Sequence, residues 1–310
     1  MFRMSRAIVA DVRRIDIATA LRRIVVLLVI SSSSVVGAEE VDSIVARADQ
    51  LFAERRDIGQ VRGLAKSEPI GEIVMLYEQA AAARPDDLAI ALKLLIALEY
   101  KAIHALPKGR AGALARRPVV NRGIAVCEDA LDRTATRFGD REELYGASVA
   151  EIRAKGVDVP VLAEVYFWCA NHWVARSLDR GIRAAVDEGT VGTVYEHTNQ
   201  VLRLDPSVRQ GGGYRFLAQL HIVVPRETGK TDWADPEKAI DAMEQAEAIA
   251  PGDPHNKLFL AQVLMRARPN EKERIRSLLL EASNLVPRSE RVCEDWDLKN
   301  GADRYLAAMK

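Results

Sequence analysis

Strand signals are almost missing from this 310-residue chain. Only Ile222-Val223-Val224 concentrates β-branched side chains, and three residues are too few to make a strand. Aromatic residues are scarce, at 5%, and charge of one sign is not in excess, with 44 basic and 44 acidic side chains. That balance excludes the usual nucleic-acid binder, which needs clustered surplus Lys and Arg to meet phosphates. The chemical motifs are missing too. There is no GxSxG, HExxH or P-loop, so no nucleophile elbow, zinc-protease site or phosphate cradle is expected. With no acid–base constellation in view, the chain is not expected to be an enzyme or to carry a catalytic residue or a cofactor. Cysteine is limited to Cys127, Cys169 and Cys293. Their spacings fit no zinc motif, so no metal is expected, and an odd number cannot pair completely. Cys127 falls on a core position of a repeat described next, which favours a buried, inert thiol. A disulfide between two of the three stays open in an oxidising compartment, and the sequence does not choose the pair.

What the chain does have is a recurring spacing. Ala239, Met243, Ala246 and Pro251 stand at steps of four, three and five. Val194, Thr198, Val201 and Pro206 repeat those steps, as do Ile275, Leu279, Ala282 and Pro287, and, far upstream, Ile73, Tyr77, Ala80 and Pro85. Steps of four and three keep three residues on one helix face. Proline then stops the helix, because it has no N–H and restricts the residue before it. This is the second half of a tetratricopeptide-like hairpin, a unit that buries its apolar face only against stacked neighbours. The first halves agree: Leu217-Ala218 with His221, Leu260-Ala261 with Leu264, and Leu94-Leu95 with Leu98. Gly123, Cys127 and Ala130 read as a further copy without its proline. The expected fold is all-α, a degenerate solenoid of stacked antiparallel helical hairpins.

At the N-terminus, Arg22-Arg23 precedes an apolar run from Ile24 to Ile30, which fades through four serines into Val36-Gly37-Ala38. A basic stretch, a short apolar core and a Val-x-Ala end make a secretory signal pattern, with cleavage expected after Ala38. An uncleaved anchor is the competing reading, but the run is short for a membrane span. No cysteine follows it, so a lipoprotein is not expected. The predicted organisation is a signal peptide over 1–38 and an exported helical-repeat domain over 39–310. The segment before the cut holds six arginines and two aspartates, so the mature chain has 38 basic and 42 acidic side chains, a net charge of about −4.

The periodicity predicts helices over Glu40 to Arg56, Gly71 to Arg84 and Asp86 to Leu106. A basic, glycine-containing stretch from Pro107 to Arg117 reads as a solvated loop. Helices follow over Pro118 to Arg137, Arg141 to Lys155, Val159 to Arg180 and Ile182 to Leu204. Two more hairpins fill Gly213 to Val286, and Cys293 to Met309 reads as a capping helix. Gly211-Gly212-Gly213 lacks the Lys-Ser/Thr of a phosphate loop and reads as a flexible turn. Glu294-Asp295 with Asp297 reads as a solvated helix start, and His221 as a packing residue. In Val159 to Arg180, Trp168 and Trp173 lie within six residues of each other. Cys169 shares a face with Trp173, while Trp168 shares another with Asn171 and His172. Two readings follow: a central helix packed on both sides, or a helix with one face on a cleft, Trp168 giving an apolar wall and Asn171 a polar anchor.

Taken in order, several segments resemble the T-component family of tripartite ATP-independent periplasmic (TRAP) transporters. They are Tyr166-Phe167-Trp168-Cys169-Ala170-Asn171, Val201-Leu202-Arg203-Leu204-Asp205-Pro206, Tyr214-Arg215-Phe216-Leu217-Ala218 after the glycines, Pro225, Asp235-Pro236-Glu237-Lys238-Ala239, and Asn256-Lys257-Leu258 between Pro251 and Leu260-Ala261. The likeness covers roughly Val159 to Pro287. It implies a periplasmic accessory protein that docks the substrate-binding protein of a TRAP transporter. It also implies a homo-oligomer, trimeric in the architecture's defining instance, and a cleft for a small apolar or organic-acid ligand. Trp168, Asn171, Trp173, Tyr214 and Trp233 are the candidate lining residues. Two departures stand out: the lipobox cysteine of the best-known members is missing, and Gly229-Lys230-Thr231 replaces a glycine pair. The competing expectation is an envelope scaffold that recruits a protein and no small molecule.

Overall fold

Aspartate and serine start many of the helices. Asp87, Asp140, Ser148, Asp158, Asp235 and Asp253 each accept backbone N–H groups of the turn they precede, which satisfies donors a helix start leaves without partners. The computed structural model describes residues 37–54, 65, 67–107, 109–224, 230–288 and 291–309. The helices are α1 (Ala38–Ala53), α2 (Ser67–Ala83), α3 (Leu88–Tyr100), α4 (Gly109–Ala135), α5 (Arg141–Gly146), α6 (Val149–Ala154) and α7 (Val159–Arg180). Then come α8 (Ile182–Asp187), α9 (Thr190–Leu204), α10 (Gly212–Val223), α11 (Pro236–Ile249), α12 (Pro254–Ala267), α13 (Lys272–Ser283) and α14 (Val292–Ala308). A π-helical turn, Lys101–Ala105, continues α3. No strand occurs among the described residues. The expected signal segment lies outside them except for Gly37 and Ala38, as do Pro225 and Gly229. No described helix is long and apolar enough to cross a membrane.

The repeat positions are the core. Ile73, Tyr77, Ala80, Val194, Thr198, Val201, Ala239, Met243, Ala246, Ile275, Leu279 and Ala282 are all buried, none more than 2% exposed. Thr198 fits among apolar neighbours because its hydroxyl donates to the Val194 carbonyl at 2.8 Å. Sequential helices pack as hairpins, α10 on α11, α12 on α13 and α13 on α14, while α7 packs on α3, α4 and α9 together. This is the all-α stack of helical hairpins that the spacing predicts. Two main cores result: one around Leu94, Leu131, Leu162 and Tyr166 from the N-terminal half and α7, the other around Met243, Leu264 and Leu279. Val41–Lys310 is one compact unit.

Several expectations need correction. The stretch from Pro107 to Arg117 is not a solvated loop, because α4 begins at Gly109. Its Arg116 donates to Asp179 of α7 at 3.1 Å and to the Pro107 carbonyl at 3.2 Å, so that charge is paired between helices. The helix expected over Arg141 to Lys155 breaks into α5 and α6, because Ser148 and Glu151 form a reciprocal capping box that starts a new helix. The partner of α7 breaks at Gly189, whose φ of 75° favours glycine. Asp295 is buried rather than solvated and accepts Nε and Nη2 of Arg288 at 2.9 and 2.7 Å. Cys127 is not an inert thiol. It is bonded to Cys169, joining α4 to α7 with Cα atoms 5.6 Å apart, and Cys293 is buried outside that bridge.

An open solenoid brings each repeat against its neighbours only. Here the last helix returns to the first half. Asp297 of α14 pairs with Nδ1 of His104 at 3.1 Å, 193 residues away in sequence, and Cys293 packs into the N-terminal core. The space enclosed by that return holds the candidate site.

Candidate functional site

Three consecutive residues in the left-handed region shape the turn between α9 and α10. Arg209 (φ 50°) and Gln210 (φ 55°) precede Gly211 (φ 81°). A side chain in that region costs about 1 kcal/mol or more, so the turn needs support. Arg215, one turn into α10, supplies it. Its guanidinium donates to the carbonyls of Arg209 and Gln210 at 2.6 and 2.9 Å, and to Oδ1 of Asn256 at 2.7 Å. Burial pushes Arg215 down to about 10, against the pull of Asp253, so it is still cationic at neutral pH. The glycines behind the turn are packing residues, not the flexible hinge their run suggests. A Cβ on Gly211 would lie 2.9 Å from Cα of Ala246, and one on Gly212 would lie 2.4 Å from the Phe167 ring.

This turn forms one wall of a cavity of about 540 Å³, bounded also by α3, the π-helical turn, α7, α10, α12 and α14. Its size suits a small-molecule pocket. The apolar lining comes from Ile96, Phe167, Trp168, Phe216 and Phe259, and the polar lining from Glu99, Asn171, Arg209, Arg215, Arg291 and the His104–Asp297 pair. Glu164 accepts from both Trp168 Nε1 (3.1 Å) and Arg209 Nε (2.9 Å). It thereby holds the guanidinium over the indole face, 5.0 Å from the ring centre, a favourable cation–π arrangement. Burial pushes the Glu99 carboxyl above its ordinary range, against the pull of His104. Burial lowers Arg291, and Arg288 adds to that effect. The carboxylates of Glu294, which also lines the cavity, and Asp295 pull the other way on the Arg291 guanidinium. The cavity therefore combines aromatic walls with a cation able to accept an anionic group.

Of the five residues expected to line a cleft, the structure brings two together. Trp168 and Asn171 line the cavity; Asn171 donates its amide back to Phe167 at 3.2 Å, leaving its oxygen available. Trp173, Tyr214 and Trp233 do not line it. Trp173 lies five residues past Trp168, about 140° around the helix, and packs near Val120 and Ile124 with Arg176 over its ring at 5.2 Å. Tyr214 turns to the C-terminal core while Phe216 takes the cavity side. Trp233 stacks on Tyr195 at 4.6 Å and meets the edge of His221 at 5.4 Å. Helix α7 satisfies both readings of its aromatic run: it is packed on several sides and still presents one edge to the cavity. The cavity arginines were missed, although Tyr214-Arg215-Phe216 carried a signal: a charge set inside an apolar helix pattern. No protein-family model matches this chain, and no curated protein matches it.

Proposed function

We propose that the protein is a periplasmic helical-repeat accessory of a TRAP-type transport system, which holds a small organic acid with an apolar body in the α7–α10–α14 cavity. The observation that carries the ligand reading is the gathering of Arg209, Arg215 and Arg291 on a cavity of about 540 Å³ walled by Trp168, Phe167 and Phe216. A guanidinium out of bulk water gains most from a planar anion such as carboxylate, and aromatic walls suit the rest of such a ligand. The transport context rests on the ordered segments from Tyr166 to Leu260 that resemble the T components, and on a stack of helical hairpins able to present a broad docking face.

Two measurements test this. Titration calorimetry with benzoate, phenylacetate and octanoate, against the matching alcohols, should show saturable binding of carboxylates only. Equal binding of the alcohols, or none of either, would reject the ligand reading. Affinity purification of the tagged protein from its own periplasm should recover a TRAP substrate-binding protein. Its absence at every salt concentration, with other envelope proteins recovered instead, would leave a scaffold.

A further inference from the structure

Cys127 on α4, Cys169 on α7 and His197 on α9 meet in the middle of the molecule. Both sulfurs and a ring nitrogen all lie within 4.8 Å of one another, and all three residues are buried. Neither ring nitrogen of His197 has a hydrogen-bond partner among the described residues, although the side chain is only 1% exposed. Buried polar groups nearly always find partners, because losing water without replacement costs about 1 to 3 kcal/mol. Tyr166 lies beside it, with ring centroids 5.7 Å apart, and its buried hydroxyl also lacks a partner there. Two sulfurs and an orphaned imidazole are the donors that soft cations prefer.

We infer that Cys127, Cys169 and His197 bind one thiophilic d¹⁰ cation, Zn²⁺ or Cu⁺, when the bridge is reduced, and that the disulfide is the metal-free form of the same site. The two states exclude each other, since sulfurs bonded together cannot both serve as thiolate ligands. An external dithiol supplies the two electrons: the Cys127–Cys169 bond breaks, the dithiol becomes a disulfide, and its two protons pass to the two sulfurs. Metal binding then releases those protons and leaves two thiolates and a neutral imidazole on the ion. Ligand atoms around such an ion stand roughly 3 to 4 Å apart, so side-chain adjustments are enough to form the site. Two thiolates neutralise the charge of Zn²⁺, whereas Cu⁺ is content with three ligands. The sequence separations of 42 and 28 residues hide the set from any linear zinc motif.

The full-length chain, reduced with dithiothreitol under argon and desalted, is titrated with Zn²⁺ and separately with Cu⁺, each against a chromophoric chelator. One tightly held ion per reduced chain, and none on the oxidised chain, is expected; which ion competes better identifies the metal. His197→Ala should weaken binding on the order of 100-fold, at least the effect of losing an outer-shell partner, while Cys293→Ser should leave it unchanged. Co²⁺ added to the reduced wild type provides a reading that needs no variant, as sulfur-to-cobalt charge-transfer absorption. Failure of the reduced chain to hold either Zn²⁺ or Cu⁺, binding equal in both redox states, or binding indifferent to His197 in a folded variant would overturn the proposal. So would a reduced chain that loses its helical signal and regains it with neither ion.

Discussion

The guanidinium of Arg215 donates to Asn256 at 2.7 Å, and both side chains also reach the carbonyl of Gln210. Asn256 further donates to the Ala246 carbonyl at 2.8 Å, so one buried pair ties the cavity turn to the end of α11 and the start of α12. Asn256→Ala should cost about 3 kcal/mol, because it leaves a buried cation and two carbonyls short of partners. In urea unfolding, the Arg215→Met/Asn256→Ala double variant should lose less than the sum of the single variants. Strict additivity would show that the two residues act independently.

Trp168 and Arg291 should separate packing from ligand chemistry. Trp168→Ala is expected to weaken carboxylate binding while far-ultraviolet circular dichroism stays unchanged. Arg291→Gln should reduce carboxylate affinity by about 10-fold or more, the value of a charge-assisted hydrogen bond, without changing the unfolding midpoint. A large stability loss in Trp168→Ala would mark the ring as core.

The bridge between α4 and α7 closes a 42-residue separation. Cys127→Ser should lower stability by about 2 to 4 kcal/mol, measured with a chelator present. The difference between oxidised and reduced wild-type melting temperatures should vanish in this variant and persist in Cys293→Ser.

His172 is buried, and its Nε2 donates to the Leu95 carbonyl at 3.1 Å. Burial pushes its pKa down to about 4, against that hydrogen bond, from an ordinary 6.5. The unfolded chain therefore binds a proton that the folded chain refuses, and the histidine's contribution to stability is lost as pH falls from about 6.5 towards 4. His172→Gln should reduce the fall of the urea midpoint in that window without abolishing it, because burial lowers His197 in the same way, and leave the midpoint little changed above the window. Gly123 backs onto this ring: a Cβ there would sit 2.3 Å from Cε1. Gly123→Ala should destabilise by about 1 to 3 kcal/mol, and full wild-type stability would show that the ring can shift freely.

The repeat was legible because burial recurs at fixed steps: the positions read from Ile73 to Ala282 are core in fact. Helix α7 was also legible from end to end, since Asp158 starts it and Gly181 ends it. What periodicity could not show was which side of a buried helix faces a void. Trp168 and Asn171 face it, while Trp173, equally aromatic, packs into protein, because that outcome depends on helices far away in sequence. The cavity arginines were hidden for the same reason. Arg209 takes its place from a left-handed turn, and Arg291 takes its place from the return of α14. The pairing of Cys127 with Cys169 needed the stacking of α4 on α7, which no spacing encodes.

The contact between His104 and Asp297 changes how such an array should come apart. A linear stack frays from its ends, each outer hairpin peeling away with only one neighbour to hold it. Here the C-terminal helix is fastened to the first half of the chain, so it cannot peel away independently while that pair holds. Unfolding should then proceed as a single sharp transition, and cutting the fastening with Asp297→Asn should split it into steps that begin at α14.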